Sequence, residues 1–274
     1  MSAGKTFVVK LGGEVVKSAE MAHVAADVKA LGASGHRVVV VHGGGPQATD
    51  LSKRLGMTPK IVAGRRITDE ATLEVMKMVV AGQVNVDLCA ALLKAGVRGV
   101  GLHGASGHVI RAVKRPPKVM AGAGPEPIDF GHVGDVTAVD VRILNVLSEA
   151  GFVPVVACLG AGDDGALFNI NADVVANKVA IALAADGLLL VTDVPGVLRD
   201  VADPSSRIAT LTVGDGKKAI AEGVVKGGMI PKLEESFAAI GEGVRAVHIL
   251  GKLGPGDLYK AATQPGAIGT VLTA

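Results

Sequence analysis

The sequence predicts an α/β protein: a mostly parallel sheet covered by helices on both faces, a three-layer αβα sandwich in which two lobes share one sheet. Three observations predict it. Short β-rich runs alternate with stretches of helical pattern, the signature of βαβ units. The runs are continuously apolar, as in Val38–Val41 and Leu188–Val191, which suits strands buried on both sides. Two of them, TFVVKLGG and RVVVVHGGGP, end in glycine clusters, and open α/β sheets bind ligands at the carboxyl ends of their strands.

In chain order, Thr6–Gly12 reads as the first strand and residues 18–34 as a helix. Arg37–Gly43 reads as the second strand, followed by a helix from about Pro46 to Leu55. Further strands are expected within Gly96–Gly104, Phe152–Gly160, Gly187–Val197 and Ala246–Gly251. Between His108 and Asp140, apolar and polar residues alternate around Pro116-Pro117 and a Pro-Glu-Pro turn. That pattern reads as antiparallel hairpin strands at one edge of the sheet. The segment LRDVADPSSRIATLT, residues 198–212, reads as a loop. No fixed-period repeat or Pro- or Ser-rich linker interrupts the chain, and the lobe boundary is placed at 182/183.

Composition narrows the function classes. The 274 residues carry 28 Lys plus Arg against 26 Asp plus Glu, a net charge of +2, without the dense basic tract that follows a phosphate backbone. One Tyr, five Phe and no Trp leave few rings for base stacking. Nucleic acid is not the expected partner. Cys89 and Cys158 have neither ligand spacing nor disulfide density and read as reduced core thiols. The amino terminus lacks the apolar core of a signal peptide, and no run reaches the ~18 apolar residues of a membrane span; a cytoplasmic protein is expected.

Several glycine- and charge-rich stretches are decoys. Gly4-Lys5-Thr6 lacks the upstream glycine of a Walker A loop and precedes its strand. Gly160–Gly165 spells G-x-G-x-x-G but leads into Ala-Leu-Phe rather than a helix, so it reads as a β-turn and not a dinucleotide site. His103 and His108 lack neighbouring ligands for a metal and read as part of a hairpin turn. Lys114–Lys118 reads as a solvated loop.

What remains is a constellation at strand ends and helix starts. Lys10 precedes Gly12 and Gly13; Gly43, Gly44 and Gly45 precede the helix at Pro46. Bare backbone there lets N–H groups and a helix N-terminus meet an anion. Asn169, Asn171 and Asp173 introduce a later helix, in which Asn171 or Asp173 also serves as a plain N-cap candidate. Thr192, Asp193, Gly196 and Val197 end another strand, and Lys226, Gly227 and Gly228 precede a helix with Lys232 in its first turn.

KLGG, HGGGP, GRRITD (64–69), NINAD (169–173), TDVPGV (192–197) and GGMIPK (227–232), taken in that order, resemble the amino-acid kinase family. Within it the likeness is strongest to members that phosphorylate N-acetyl-L-glutamate. The resemblance implies transfer of the ATP γ-phosphoryl to a side-chain carboxylate in L-arginine biosynthesis. It implies catalytic roles for Lys10 and Lys232, with Asp173 holding both ammonium groups. It implies substrate binding by Gly44, Gly45, Arg66 and Asn169. Nucleotide binding falls to Gly12, Gly13, Thr192, Asp193, Gly196, Val197 and Lys226, with Mg²⁺ on the ATP phosphates and no dedicated metal-ligand set. The substrate lobe is 1–182 and the ATP lobe 183–274. Arginine-inhibited members carry an extra amino-terminal helix that joins dimers into hexamers; only a few residues precede the first strand here, so the expectation is an arginine-insensitive homodimer. Rival readings are a kinase of carrier-protein-linked aminoadipate or glutamate, a glutamate 5-kinase or carbamate kinase, whose Arg66 region and asparagine motif match less well, and a non-catalytic nucleotide-binding regulator.

Overall fold

The structure is a computed structural model that describes residues 4–62, 64–120, 124–200 and 202–274. The first part of the chain contains β1 (Thr6–Leu11), α1 (Gly13–Val16), α2 (Glu20–Ala33), β2 (Arg37–His42), α3 (Gly45–Arg54), β3 (Ile61–Val62) and β4 (Arg65–Arg66). Then come α4 (Glu70–Met76), a π-helical segment (Lys77–Val84), α5 (Asn85–Lys94), β5 (Gly99–Leu102), β6 (Ile110–Lys114), β7 (Gly134–Val139), α6 (Arg142–Glu149) and β8 (Val153–Ala157). The remainder runs β9 (Leu159–Ala161), β10 (Leu167–Asn169), α7 (Ala172–Ala182), β11 (Gly187–Thr192), β12 (Thr210–Thr212), α8 (Val213–Ala221), α9 (Met229–Gly241), β13 (Val247–Gly251), α10 (Asp257–Thr263) and β14 (Thr270–Thr273).

The main sheet has eight strands in the order β12-β14-β13-β11-β1-β2-β8-β5. Its pairs are parallel except β13 with β14. Side chains alternate between its faces, as a strand requires. Val8, Val39, Val41, Leu188 and Leu190 join the core beneath α3, α4, α7 and α9. Phe7, Val9, Leu11, Val38, Val40 and Leu189 join the core beneath α2, α5 and α10. Burial on both sides explains why these strands read as unbroken apolar runs. Asp27 of α2 ties the second layer together by accepting from the Gly256, Leu258 and Tyr259 N–H groups at the start of α10.

Three expectations need correction. The hairpin β6–β7 is antiparallel as expected, but it lies in a separate four-stranded sheet, β10-β9-β6-β7. The expected strand at Phe152–Gly160 breaks at Cys158, and β9 leaves the main sheet to pair with β6 at Arg111 and Ala161. A partner supplied some 50 residues upstream leaves no local trace. The loop at 198–212, of which Val201 lies outside the described residues, contains a 3₁₀ turn at Pro204–Ser206 and the edge strand β12. The continuous helix Glu70–Lys94 is long and apolar enough to cross a membrane by length and composition. Its Val75, Val79, Leu88 and Leu92 side chains are instead buried against the sheet. The turn expected at Gly160–Gly165 is present: Gly165 N–H donates to Gly162 O at 3.0 Å, linking the antiparallel strands β9 and β10.

Candidate active site

The parallel register of β1 and β2 sets Leu11 opposite His42, so the two glycine loops leave the sheet side by side. Gln47 Nε2 donates to Gly13 O at 2.6 Å. A Cβ on Gly13 would stand 2.5 Å from Gln47 Oε1 and 3.3 Å from Gly44 Cα, so a side chain there would push Gln47 and the second loop away. A Cβ on Gly44 would press to 3.1 Å on Val80 and 3.3 Å on Val84. At Gly45 nothing lies within 4 Å of that position. Helix α3 has Gly44 as N-cap with no side-chain cap, so its first-turn N–H groups remain available to an anion.

These loops floor a cavity of about 490 Å³ whose walls include Lys10, Gly12, Gly13, Arg66, Asn169 and Glu235. Lys10 Nζ lies 2.9 Å from Asp173 Oδ1, with side-chain exposures of 12% and 22%. The contact is an ion pair by distance, although Asp173 Oδ1 has no partner with hydrogen-bond directionality. Asp173 is held in the first turn of α7, where its N–H donates to Asn171 Oδ1 at 2.8 Å. Asn171 is therefore the N-cap.

Arg66 reaches from β4 across the start of α3. Its Nη2 donates to Thr49 Oγ1 at 2.7 Å and Gly45 O at 3.1 Å. Its Nη1 is buried with no partner among the described residues. Burial draws the guanidinium pKa down from its ordinary value, yet an arginine stays protonated. One edge of the fork is thus anchored, and the other is a cationic donor awaiting an acceptor. Asn169, at the end of β10, donates to Thr68 Oγ1 at 3.1 Å and turns toward the same cavity.

Not every expected residue converges. Lys232 sits half-buried in the first turn of α9 and does not line the cavity, though its charge acts on Glu235. Thr192, Asp193, Gly196, Val197 and Lys226 also lie outside the cavity walls. Thr192 Oγ1 donates to Asp193 Oδ1 at 3.0 Å and accepts from Val194 N–H at 3.2 Å. Val197 N–H donates to Thr270 Oγ1 at 2.8 Å, which fixes the turn. Lys226 is exposed.

Sequence reasoning missed Arg115, Glu235 and Cys158, all of which line the cavity. The solvated-loop reading of Lys114–Lys118 fails at Arg115: its side chain is only 14% exposed and pairs with Asp135 at 2.7 Å. No local pattern announces that partner. Glu235 lies three residues after Lys232 on α9, a spacing that places both on neighbouring turns and that a helical reading could have used. Burial, then the Asp173 charge, raises the Glu235 carboxyl pKa, while Arg65, Lys232 and Lys10 oppose the rise. Burial pushes the Cys158 thiol up to about 12. A larger hollow of about 680 Å³ between α8 and α9 is walled mainly by apolar groups such as Val213, Ile220 and Phe237 and gathers none of this chemistry.

The cavity thus offers backbone donors, a helix N-terminus, a fixed lysine and an arginine with one free edge, a set suited to binding and cancelling negative charge. Comparison with known proteins agrees in kind. Acetylglutamate kinase of Sorangium cellulosum (strain So ce56) is 64% identical over 265 residues, covering 97% of this chain and 93% of the relative. Acetylglutamate kinase of Anaeromyxobacter dehalogenans (strain 2CP-C) is 60% identical over 268 residues, covering 98% and 99%. Among solved structures, N-acetylglutamate synthase from Neisseria gonorrhoeae, complexed with coenzyme A and N-acetyl-glutamate, superposes with a TM-score of 0.82 at 27% identity; the match covers 99% of this chain and 60% of that longer one. The profile described as the Amino acid kinase family matches residues 5–251, and this chain belongs to that family.

Proposed function

We propose that this protein is the ATP-dependent kinase that converts N-acetyl-L-glutamate to N-acetyl-L-glutamate 5-phosphate in L-arginine biosynthesis. The observation that carries the reading is Arg66: anchored to Gly45 and Thr49 on one edge and with its buried Nη1 unpaired, it lines a cavity that glycine backbone also lines. Such a fork fits a carboxylate, and the relatives name which one.

A side-chain carboxylate with a pKa near 4 is already ionised at neutral pH, so no general base is needed. Its oxygen attacks the γ-phosphorus, the bond to the β,γ-bridging oxygen breaks, and ADP leaves with that electron pair. The barrier lies in bringing two anions into line. In this reading Gly44 and Gly45 present N–H groups to the reacting carboxylate and the arriving phosphoryl. Arg66 and Asn169 hold the remainder of the substrate, with Arg66 on its α-carboxylate. Lys10, oriented by Asp173, and Lys232 flank the transferring group. Gly12, Gly13, Thr192, Asp193, Gly196, Val197 and Lys226 serve the nucleotide; residues 1–182 bind the amino acid, with Gly12 and Gly13 reaching the phosphates, and residues 183–274 hold the rest of ATP.

Mg²⁺ accompanies the nucleotide in this proposal. Among the described residues no group of three His, Cys, Asp or Glu side chains forms a cluster able to hold a metal, and Asp173 is engaged by Lys10. An ion carried on ATP phosphates takes few protein ligands and would neutralise phosphate charge. The protein is further proposed to act in the cytoplasm as a homodimer. Met78, Val86 and Leu93 leave large apolar surface exposed along Glu70–Lys94, as a helix awaiting a second copy would.

The test is ATP- and Mg²⁺-dependent acyl-phosphate formation, trapped with hydroxylamine, on N-acetyl-L-glutamate, L-glutamate and N-acetyl-L-aspartate. Strong selectivity for the first is expected. Bound ATP with no product from any of the three would overturn the assignment.

A further inference from the structure

The proposed chemistry gives no role to His42, which is fully buried behind the second glycine loop. Its hydrogen bonds admit one arrangement. Nδ1 lies 2.8 Å from Gly43 O, an atom that can only accept, so Nδ1 carries the hydrogen. Nε2 then accepts, and its donor is Asn85 Nδ2 at 2.9 Å; the other Asn85 amide hydrogen goes to Val155 O at 3.0 Å. Turning the Asn85 amide over would set its oxygen against the lone pairs of Nε2 and Val155 O. Protonating Nε2 would set donor against donor. Burial agrees, drawing the imidazole pKa down to about 4, so the ring is neutral.

The surroundings are shaped for this relay. The π-helical segment ends at Val84, directly before Asn85, and π segments are rare and concentrate at functional sites. It packs Val80 and Val84 under Gly44 and leaves Asn85 facing His42. On the far side, a Cβ at Gly101 would stand 2.0 Å from Asn85 Oδ1, so the strand leaves that space to the amide.

The consequence lies in the Gly43–Gly44 peptide. No cis peptide bond occurs among the described residues, and in a trans peptide the C=O and N–H point opposite ways. With Gly43 O held on the buried side, Gly44 N–H is directed away from the core, on the side of the cavity that Gly43, Gly44 and Gly45 line. A peptide between two glycines turns over at little steric cost, and the reversed form would present a carbonyl to the anions. We infer that His42, locked by Asn85, is a positioning residue for phosphoryl transfer, holding the Gly43–Gly44 peptide so that its N–H rather than its carbonyl faces the reacting groups. The inference rests on the carboxylate-kinase reading.

The test compares His42→Asn, whose amide nitrogen can take the place of Nδ1, with His42→Gln, whose amide reaches toward Asn85 instead. Both are assayed with N-acetyl-L-glutamate and ATP beside the wild-type protein, with folding checked by circular dichroism. His42→Gln is expected to lower kcat about 10²-fold or more, the loss typical of one misdirected oxyanion donor, with KM for ATP unchanged. His42→Asn is expected to recover most of that loss. In ¹⁵N NMR of the wild type, the His42 Nδ1–H tautomer is expected. Equal kcat in two folded variants, or an Nε2–H tautomer, overturns the inference. Should both variants fail to fold, the tautomer still decides. Absence of wild-type turnover strikes the carboxylate-kinase assignment instead, and the tautomer is read independently of it.

Discussion

Replacing Arg66 with lysine keeps the charge and removes the fork, which isolates what geometry contributes to substrate binding. In the structure Nη2 is committed to Gly45 O and Thr49 Oγ1, leaving Nη1 free and buried. A lysine ammonium is a point charge on a flexible stem. To meet an incoming carboxylate it must leave the Gly45–Thr49 anchor, and to keep the anchor it must forgo the carboxylate. The loss is one charge-assisted hydrogen bond, about 1.5–3 kcal/mol, or roughly 10- to 100-fold in affinity. In the proposed reading this contact is to the α-carboxylate, away from the reacting oxygen, so ground state and transition state lose it alike. The expected result is therefore a raised KM for N-acetyl-L-glutamate with kcat and the KM for ATP nearly unchanged. Hydroxylamine-trapped product, measured across an N-acetyl-L-glutamate titration at saturating ATP, reads both constants. An unchanged KM, or a fall in kcat alone, would refute the reasoning and move Arg66 to the phosphoryl group.

Lys10→Ala and Lys232→Ala are each expected to lower kcat by at least about 10²-fold with modest change in KM; normal turnover of Lys232→Ala would remove that residue from the chemistry. Cys158, with its thiol pushed up to about 12 by burial, should resist a neutral disulfide reagent in the native protein and react on unfolding; rapid native labelling, located by mass spectrometry, would contradict this. His42 and His248 are buried with pKa values drawn down to about 4, so the unfolded chain binds more protons below its own value near 6.5. Their contribution to stability is full above that pH and falls as pH drops toward 4, by about 3 kcal/mol for each; a urea midpoint that stays constant over this window would refute the prediction. Asp27→Ala unpairs the Gly256, Leu258 and Tyr259 N–H groups and should lower stability by about 1–3 kcal/mol, measured by urea unfolding, with kcat unaffected.

The legible parts of this protein are those whose cause is local. β1, β2, β11 and β13 can be read because burial on both faces forces continuous apolar runs, and the glycines after β1 and β2 because they cluster where each strand gives way to a helix. Lys10, Arg66, Asn169 and Asp173 become readable only when several motifs are taken in order, since each alone is compatible with an ordinary turn or cap. Arg115 stayed hidden because Lys114–Lys118 looks like any solvated charge run until Asp135, on the antiparallel strand β7, comes to meet it. The second sheet stayed hidden for the same reason, as β6 needs β9. The π segment at Lys77–Val84 likewise carries no compositional mark.

His42 is the sharpest instance. As text it merely separates a valine run from three glycines, because the property that matters is which carbonyl its Nδ1 holds. The reaction asks for two anions to be brought together, and a backbone N–H answers that demand only while something keeps its peptide from turning over. At residue 44 a side chain would press on Val80 and Val84, and the glycines at 43 and 44 together remove the steric barrier that would otherwise fix the peptide. A restraint must therefore come from outside the loop, and the hydrogen bond from His42, set by Asn85 some 40 residues away, is the one that the fold supplies.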